Sequence, residues 1–171
     1  IMAWMSMGVV RIWQNRLEDA REAANRMREL SPNSVDGLRM LGNIENYSGN
    51  PREAIDILEE CMRLDPHGPS LGFHVLGQAW FVLGEWAKAE EQFRLRIARE
   101  PDTDSSYVFL AGTLGHLGRM EEAQAQWKQV FNVKPDYSLA ERTRLWPYQK
   151  PDVIDYLYAG LEKAGIDPGP R

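Results

Sequence analysis

Pro32, Pro66, Pro101 and Pro135 are spaced 34, 35 and 34 residues apart, and each closes an amphipathic segment. Ala20, Ala54, Ala89 and Ala123 keep the same interval. A helical unit repeating at about 34 residues cannot bury its apolar face alone, so neighbouring units must stack. The expected fold is therefore all-α: a superhelix of four helical hairpins over 1–34, 35–69, 70–103 and 104–135. The pattern predicts helices near 2–14, 17–30, 35–48, 51–64, 70–83, 86–99, 104–117 and 120–133. The extra residue between the second and third units falls at His67-Gly68-Pro69, where a loop absorbs it at little cost.

The repeated positions carry separate physical tasks. Gly8, Gly42 and Gly77 lie inside first helices, where glycine costs about 1 kcal/mol against alanine. That cost implies close approach of a neighbouring helix backbone, and the four alanines serve the same end on the second helices. Leu58, Phe93 and Trp127 are large enough to fill the space between hairpins. Gly49, Gly84 and Gly118 suit left-handed caps, Pro51 suits a first turn, and the recurring prolines stop each second helix.

Residues 136–164 do not begin a fifth unit. Tyr137 to Leu145 reads as a short helix, Trp146-Pro147-Tyr148 as a break, and Pro151 to Ala164 as a last helix ended by Gly165. An open stack needs a terminal cap with one apolar face, which Ile154, Leu157, Tyr158 and Leu161 supply. Residues 165–171 are expected to be a flexible tail. At the other end, helix 2–14 is apolar nearly all round and calls for a cover beyond its own hairpin. Met2, Met5, Val9, Ile12 and Trp13 form this candidate interface, toward an upstream unit, another domain or a second copy of the chain. The chain starts with Ile1 and reads as a piece of a longer protein.

Charge and composition narrow the functions. A net charge of -5 and a pI near 5.3 argue against nucleic acid, and Arg94, Arg96 and Arg99 read as a solvated helix face. No run reaches the ~18 apolar residues of a membrane span. The single Cys61 suits a buried small hydrophobe and a reducing, cytoplasmic setting. His67, His74 and His116 lack the short spacing that zinc requires, so no metal or cofactor is expected. Glu59-Glu60, Glu90-Glu91 and Glu121-Glu122 diverge by about 100° on their helices and cannot act as acid–base pairs. Gly112-x-x-Gly115-x-x-Gly118 has the wrong spacing for a phosphate cradle and reads as tight helix packing. No nucleophile, base and orienting group come together, so no catalytic residue is assigned.

The third unit, with Phe73, Leu76, Gly77, Trp80, Gly84, Ala89, Phe93 and Pro101, resembles the tetratricopeptide repeat. Leu38, Leu41, Gly42, Glu45, Gly49, Ala54, Leu58 and Pro66 hold the same places in the second unit. Tyr107, Leu110, Ala111, Leu114, Gly118, Ala123, Trp127 and Pro135 hold them in the fourth. The first unit has Trp4, Met7, Gly8, Arg11, Asn15, Ala20, Ala24 and Pro32, so Glu45 and Arg11 stand where an aromatic is usual. The resemblance implies that first helices line a concave groove. In register, Arg39, Asn43, Asn46, Tyr47, His74, Gln78, Phe81, Val108 and His116 line it. Amides, a cation and aromatics suit an extended peptide, although the same residues also read as ordinary helix surface. Arg39 and Asn43 resemble part of the carboxylate clamp of chaperone-binding members, but Val75 and Phe109 follow where clamp residues would stand.

A narrower resemblance rests on Arg63 to Pro69, Leu145 to Pro151 and Gly160 to Gly165. These stretches are similar to carboxyl-terminal repeat regions of bacterial class III adenylate/guanylate cyclases and winged-helix regulators. The expected function is a non-enzymatic protein- or peptide-binding scaffold within a larger bacterial protein. The alternative is the regulatory or dimerisation arm of a cyclase or transcriptional regulator.

Overall fold

The second and third hairpins close because a large side chain of the second helix lies over a glycine of the first. The computed structural model describes residues 2–32 and 34–171, and Ile1 lies outside them. Ten helices, and no strand, occur among the described residues. They are α1 (Met2–Trp13), α2 (Leu17–Leu30), α3 (Val35–Ser48), α4 (Pro51–Leu64) and α5 (Leu71–Val82). α6 (Trp86–Arg99), α7 (Asp104–His116), α8 (Met120–Val133), α9 (Leu139–Leu145) and α10 (Asp152–Lys163) follow. The first eight pair as hairpins, and each second helix also packs on the first helix of the next unit. The result is an all-α solenoid.

A methyl on Gly42 would meet Leu58 at 2.6 Å, and one on Gly77 would meet Phe93 at 2.7 Å. The sequence pattern predicts backbone against backbone here. The structure puts a side chain in the gap instead. Ala20, Ala54, Ala89 and Ala123 on the second helices are fully buried. Gly49, Gly84 and Gly118 adopt φ of 83°, 74° and 74°, and Asn15 stands in the equivalent turn at 58°. The turns are bridged by backbone bonds such as Asn50 N to Glu45 O at 2.9 Å and Arg119 N to Leu114 O at 2.9 Å. These are the left-handed caps that satisfy terminal carbonyls.

Glu45 replaces the usual aromatic without leaving a charge alone. Its carboxylate is buried and accepts from Arg21 of α2 and from Asn50 Nδ2 at 2.9 Å. The arginine run is also structural rather than simply solvated. Arg94 and Arg119 bind Glu90 and Glu122, joining α6 to α8. Arg99 donates to the carbonyls of Gly68 at 3.3 Å and Pro66 at 3.2 Å, clamping the loop before α5.

The largest departure lies after α8. α10 packs on α7 and also reaches α5, two first helices of neighbouring hairpins. It therefore lies on the inner layer rather than over the outer side of the last hairpin. The reason is close backbone approach. A methyl on Gly112 would meet Leu157 at 2.8 Å, one on Gly115 would strike the Gly160 carbonyl, and one on Gly160 would strike the Gly112 carbonyl. The fit buries Val153, Leu157, Tyr158 and Leu161 with Phe109, Leu110 and Leu114 in one core. The tail also folds back: Ile166 is buried, Tyr158 Oη donates to the Pro170 carbonyl at 3.1 Å, and Arg171 pairs with Asp155 at 2.9 Å.

Gly160→Ala should lower stability by about 2–3 kcal/mol, because the added methyl meets backbone that cannot rotate away. Urea unfolding monitored by circular dichroism measures this, and Gly118→Ala, which meets no neighbour, should cost only about 1 kcal/mol. Arg21→Ala should cost about 3 kcal/mol by stranding the Glu45 carboxylate, and pairing it with Glu45→Leu should recover most of that loss in the same assay.

Candidate functional site: the concave face and its internal strap

Between α9 and α10 the chain crosses the inner face as a non-helical segment, Trp146 to Lys150, extended at Trp146 and bent at Gln149 and Lys150. Trp146 stacks on Phe109 of α7 with ring centroids 5.4 Å apart. Pro147 is buried. Tyr148 meets Tyr47 of α3 edge to face at 4.9 Å. The Gln149 backbone N–H donates to the Tyr47 carbonyl at 2.8 Å. Its side-chain Nε2 donates to Asn15 Oδ1 at 2.5 Å, and Lys150 Nζ donates to the Gly49 carbonyl at 2.9 Å. The segment thus spans the inner face from the fourth unit to the first. Arg142 of α9 holds its near end through Asp104 at 3.0 Å.

The open remainder of the face is a cleft of about 620 Å³. Trp13, Tyr47, Leu71, Leu145 and Trp146 give it apolar wall, and Gln78, Arg96, Ser105 and Arg142 give it polar groups. Tyr47, His74 and Gln78 are the sequence-expected groove residues found here. Asn46 is buried and donates through Nδ2 to Gln78 Oε1 at 3.4 Å. Arg39 pairs with Asp36 and lies beside Cys61, outside the cleft. Asn43 is half-buried on α3. Phe81 and Val108 are fully buried and offer nothing to a ligand.

The two inner histidines have structural partners. His74 Nδ1 faces Ser106 Oγ at 2.8 Å, and Thr103 Oγ1 donates to that same oxygen at 3.1 Å. His74 and Ser106 thus share a buried hydrogen bond, with the imidazole neutral. Burial, with Arg96 nearby adding to it, lowers its pKa from 6.5 to about 3. His116 stacks flat on Trp86 at 4.0 Å and donates from Nε2 to the Tyr156 carbonyl at 2.7 Å. Lys163 Nζ approaches its Nδ1 at 3.2 Å, so His116 joins α7 to α10 rather than facing a ligand. Burial first, then Lys163, lowers its pKa as well. Burial pushes the Tyr47 phenol up to about 12, and it raises the Tyr148 phenol well above its ordinary range.

Met2, Met5, Val9 and Trp13 are exposed, Met2 at 79% and Trp13 at 57%. Ile12 is not: it is buried with Leu17, Ala20 and Met27, because the hairpin's own second helix covers it. Met5, Val9 and Trp13 stand 34 residues before Arg39, Asn43 and Tyr47. They are the first unit's share of the inner stripe, and Trp13 reaches the cleft. The apolar helix and the groove, read separately in the sequence, are therefore one surface. Sequence reasoning missed Trp146 to Lys150 as an occupant of that surface. Two aromatics around a proline in a supposed helix break were the available signal, since such rings need burial.

The geometry defines a helical-hairpin solenoid whose inner face holds a non-helical stretch of chain. Residues 39–67 match the tetratricopeptide repeat model, and the chain as a whole is an all-α helical-repeat solenoid. It is 27% identical over 152 residues to the DnaJ homolog subfamily C member 7 homolog of Schizosaccharomyces pombe, covering 80% of this chain and 32% of that protein. It is 39% identical over 44 residues to putative adenylate cyclase 3 of Rhizobium meliloti, covering 26% of this chain and 8% of that one. The chain thus spans about a third or less of these relatives.

Among solved structures, MamA superimposes with a TM-score of 0.66 at 22% identity, covering 92% of this chain and 94% of that one. YrrB, described as having an unusual peptide-binding site, gives 0.63 at 17%, covering 94% and 84%. The first repeat domain of Spaghetti (RPAP3), bound to an HSP90 peptide, gives 0.57 at 24%, covering 65% and 89%.

His74 makes stability depend on pH. Its folded pKa lies below the unfolded 6.5, so its contribution is complete above that value and is lost as pH falls toward about 3. His116 acts in the same direction. Unfolding free energy should fall below pH 6.5 with a slope of at most about 1.4 kcal/mol per unit from His74. Urea titrations at stepped pH read this slope, which His74→Asn should flatten.

Proposed function

We propose that this chain is a protein-interaction scaffold that holds a peptide or partner domain on its concave face, without catalysis of its own. The observation that carries the reading is the cleft where Trp13, Tyr47 and Leu71 stand beside Gln78 and Ser105. Apolar niches interleaved with hydrogen-bonding groups match an extended backbone and its side chains. Two structural neighbours, one bound to an HSP90 peptide and one described as having an unusual peptide-binding site, support the same use. Arg39, held by Asp36, is not free to act as a carboxylate clamp, so a chaperone tail is not the favoured ligand. His74 and His116 are engaged in packing, which agrees with a binding role. No described helix is long and apolar enough to cross a membrane, and we place the scaffold in the cytoplasm of its host.

A second reading rests on the stretch shared with putative adenylate cyclase 3. In it the solenoid is the regulatory or dimerisation arm of a bacterial nucleotide cyclase or transcriptional regulator, and the exposed helix α1 meets an upstream segment or a second copy. An open reading frame with no cyclase or DNA-binding domain beside this region removes that reading.

The scaffold reading is tested by panning a random peptide library against the chain. Selected peptides should bind with roughly micromolar Kd. Trp13→Glu and Asn43→Glu should each weaken them about tenfold, or 1.4 kcal/mol, with circular dichroism unchanged. Fluorescence anisotropy measures the loss. Equal binding by both variants rules the concave face out.

A further inference from the structure

We propose that Trp146–Lys150 is an internal occupant of the concave face, and that the external partner is an extended segment of the same chemistry. That chemistry is two aromatic residues flanking a proline, followed by an amide and a cation, and the partner takes the groove by displacing the strap. The inference rests on the scaffold reading and specifies its ligand.

The strap is held as a bound peptide is held. One backbone hydrogen bond fixes its register, from Gln149 N–H to the Tyr47 carbonyl at 2.8 Å. Two aromatic side chains sit against receptor rings, Trp146 on Phe109 and Tyr148 on Tyr47. A proline between them stiffens the backbone and reduces the entropy lost on ordering. Its distal end is held by groups that any chain could supply: an amide to Asn15 and an ammonium to the Gly49 carbonyl. This is the recognition pattern of a short linear segment, with main-chain bonding for affinity and side-chain niches for specificity.

The strap is less deeply held than the helix that follows it. Gln149 and Lys150 are exposed and Trp146 and Tyr148 half-buried, with Pro147 alone buried, whereas Leu157 and Leu161 of α10 are fully buried. α10 can therefore stay docked through Gly112, Gly115 and Gly160 while the strap lifts. Beyond the strap, the inner stripe continues over Met5, Val9 and Trp13, which are exposed and apolar. A partner has a landing surface there that the strap does not use. Occupancy in cis lowers the apparent affinity for the partner by the fraction of molecules with the strap lifted.

The test uses the whole chain and a labelled synthetic peptide of sequence Arg144 to Pro151. Trp146→Ala/Tyr148→Ala removes the strap's ring contacts and should bind this peptide about tenfold more tightly than the unaltered chain. Gln149→Ala/Lys150→Ala changes only exposed side chains and keeps the fold available for measurement. It should tighten binding about threefold. Tyr47→Ala added to either variant should abolish the gain. In the unaltered chain, saturating peptide should increase hydrogen exchange at the Gln149 amide. The proposal is overturned if a folded strap variant binds the peptide no better than the unaltered chain, or if Tyr47→Ala leaves the gain intact. Either result leaves the scaffold reading standing on the panned peptides. Failure of the panned peptides together with no binding of the strap peptide to any folded variant would remove the scaffold reading as well.

Discussion

The contact on which the inner face depends is the meeting of α7 and α10 backbones at Gly112, Gly115 and Gly160. A solenoid of hairpins leaves its concave side open by construction. Here that side is partly filled, because missing side chains on both helices let two backbones come together. Once they touch, Leu157 and Leu161 enter the core of the fourth unit. The chain between α9 and α10 then has one short route, across the face from Phe109 to Tyr47. The strap, the cleft beside it and the linkage of His116 to Tyr156 all follow from that docking.

The solenoid itself is held by a different device. Leu58 over Gly42 and Phe93 over Gly77 set the separation of the two helices in a hairpin. The buried alanines set the separation between hairpins. The cores form a segmented series, one cluster joining the first two units, one joining the second to the third, and a larger one that includes α10. The first units therefore rely on nearest-neighbour packing, while the last two gain an additional helix. The free edge at α1 keeps apolar residues exposed, and much of that exposure belongs to the inner stripe.

Periodic features were legible in the sequence, and singular ones were not. The helix limits of the first eight helices follow from proline, glycine and apolar spacing, because each signal acts within one turn of its own position. Glu45 shows the limit of that reasoning. A charge at an aromatic position reads as a packing fault until Arg21 and Asn50 are seen to meet it. Phe81 and Val108 lie in groove register, but they are buried because α10 covers the neighbouring surface. The glycines Gly112 and Gly115 were read as tight packing, which holds, but their partner lay 45 residues beyond Gly115 at Gly160 and no local pattern points to it.

What the sequence by itself determined was the hairpin, its interval and its caps: an all-α array of repeated units. Those are properties of local backbone preference and of side-chain volume repeated at fixed spacing. What only the tertiary structure decided was the state of the concave face. Whether the last helix closes the end of the stack or turns inward is a competition between two apolar surfaces. Close backbone approach at three glycines, formed only when distant segments meet, settles it.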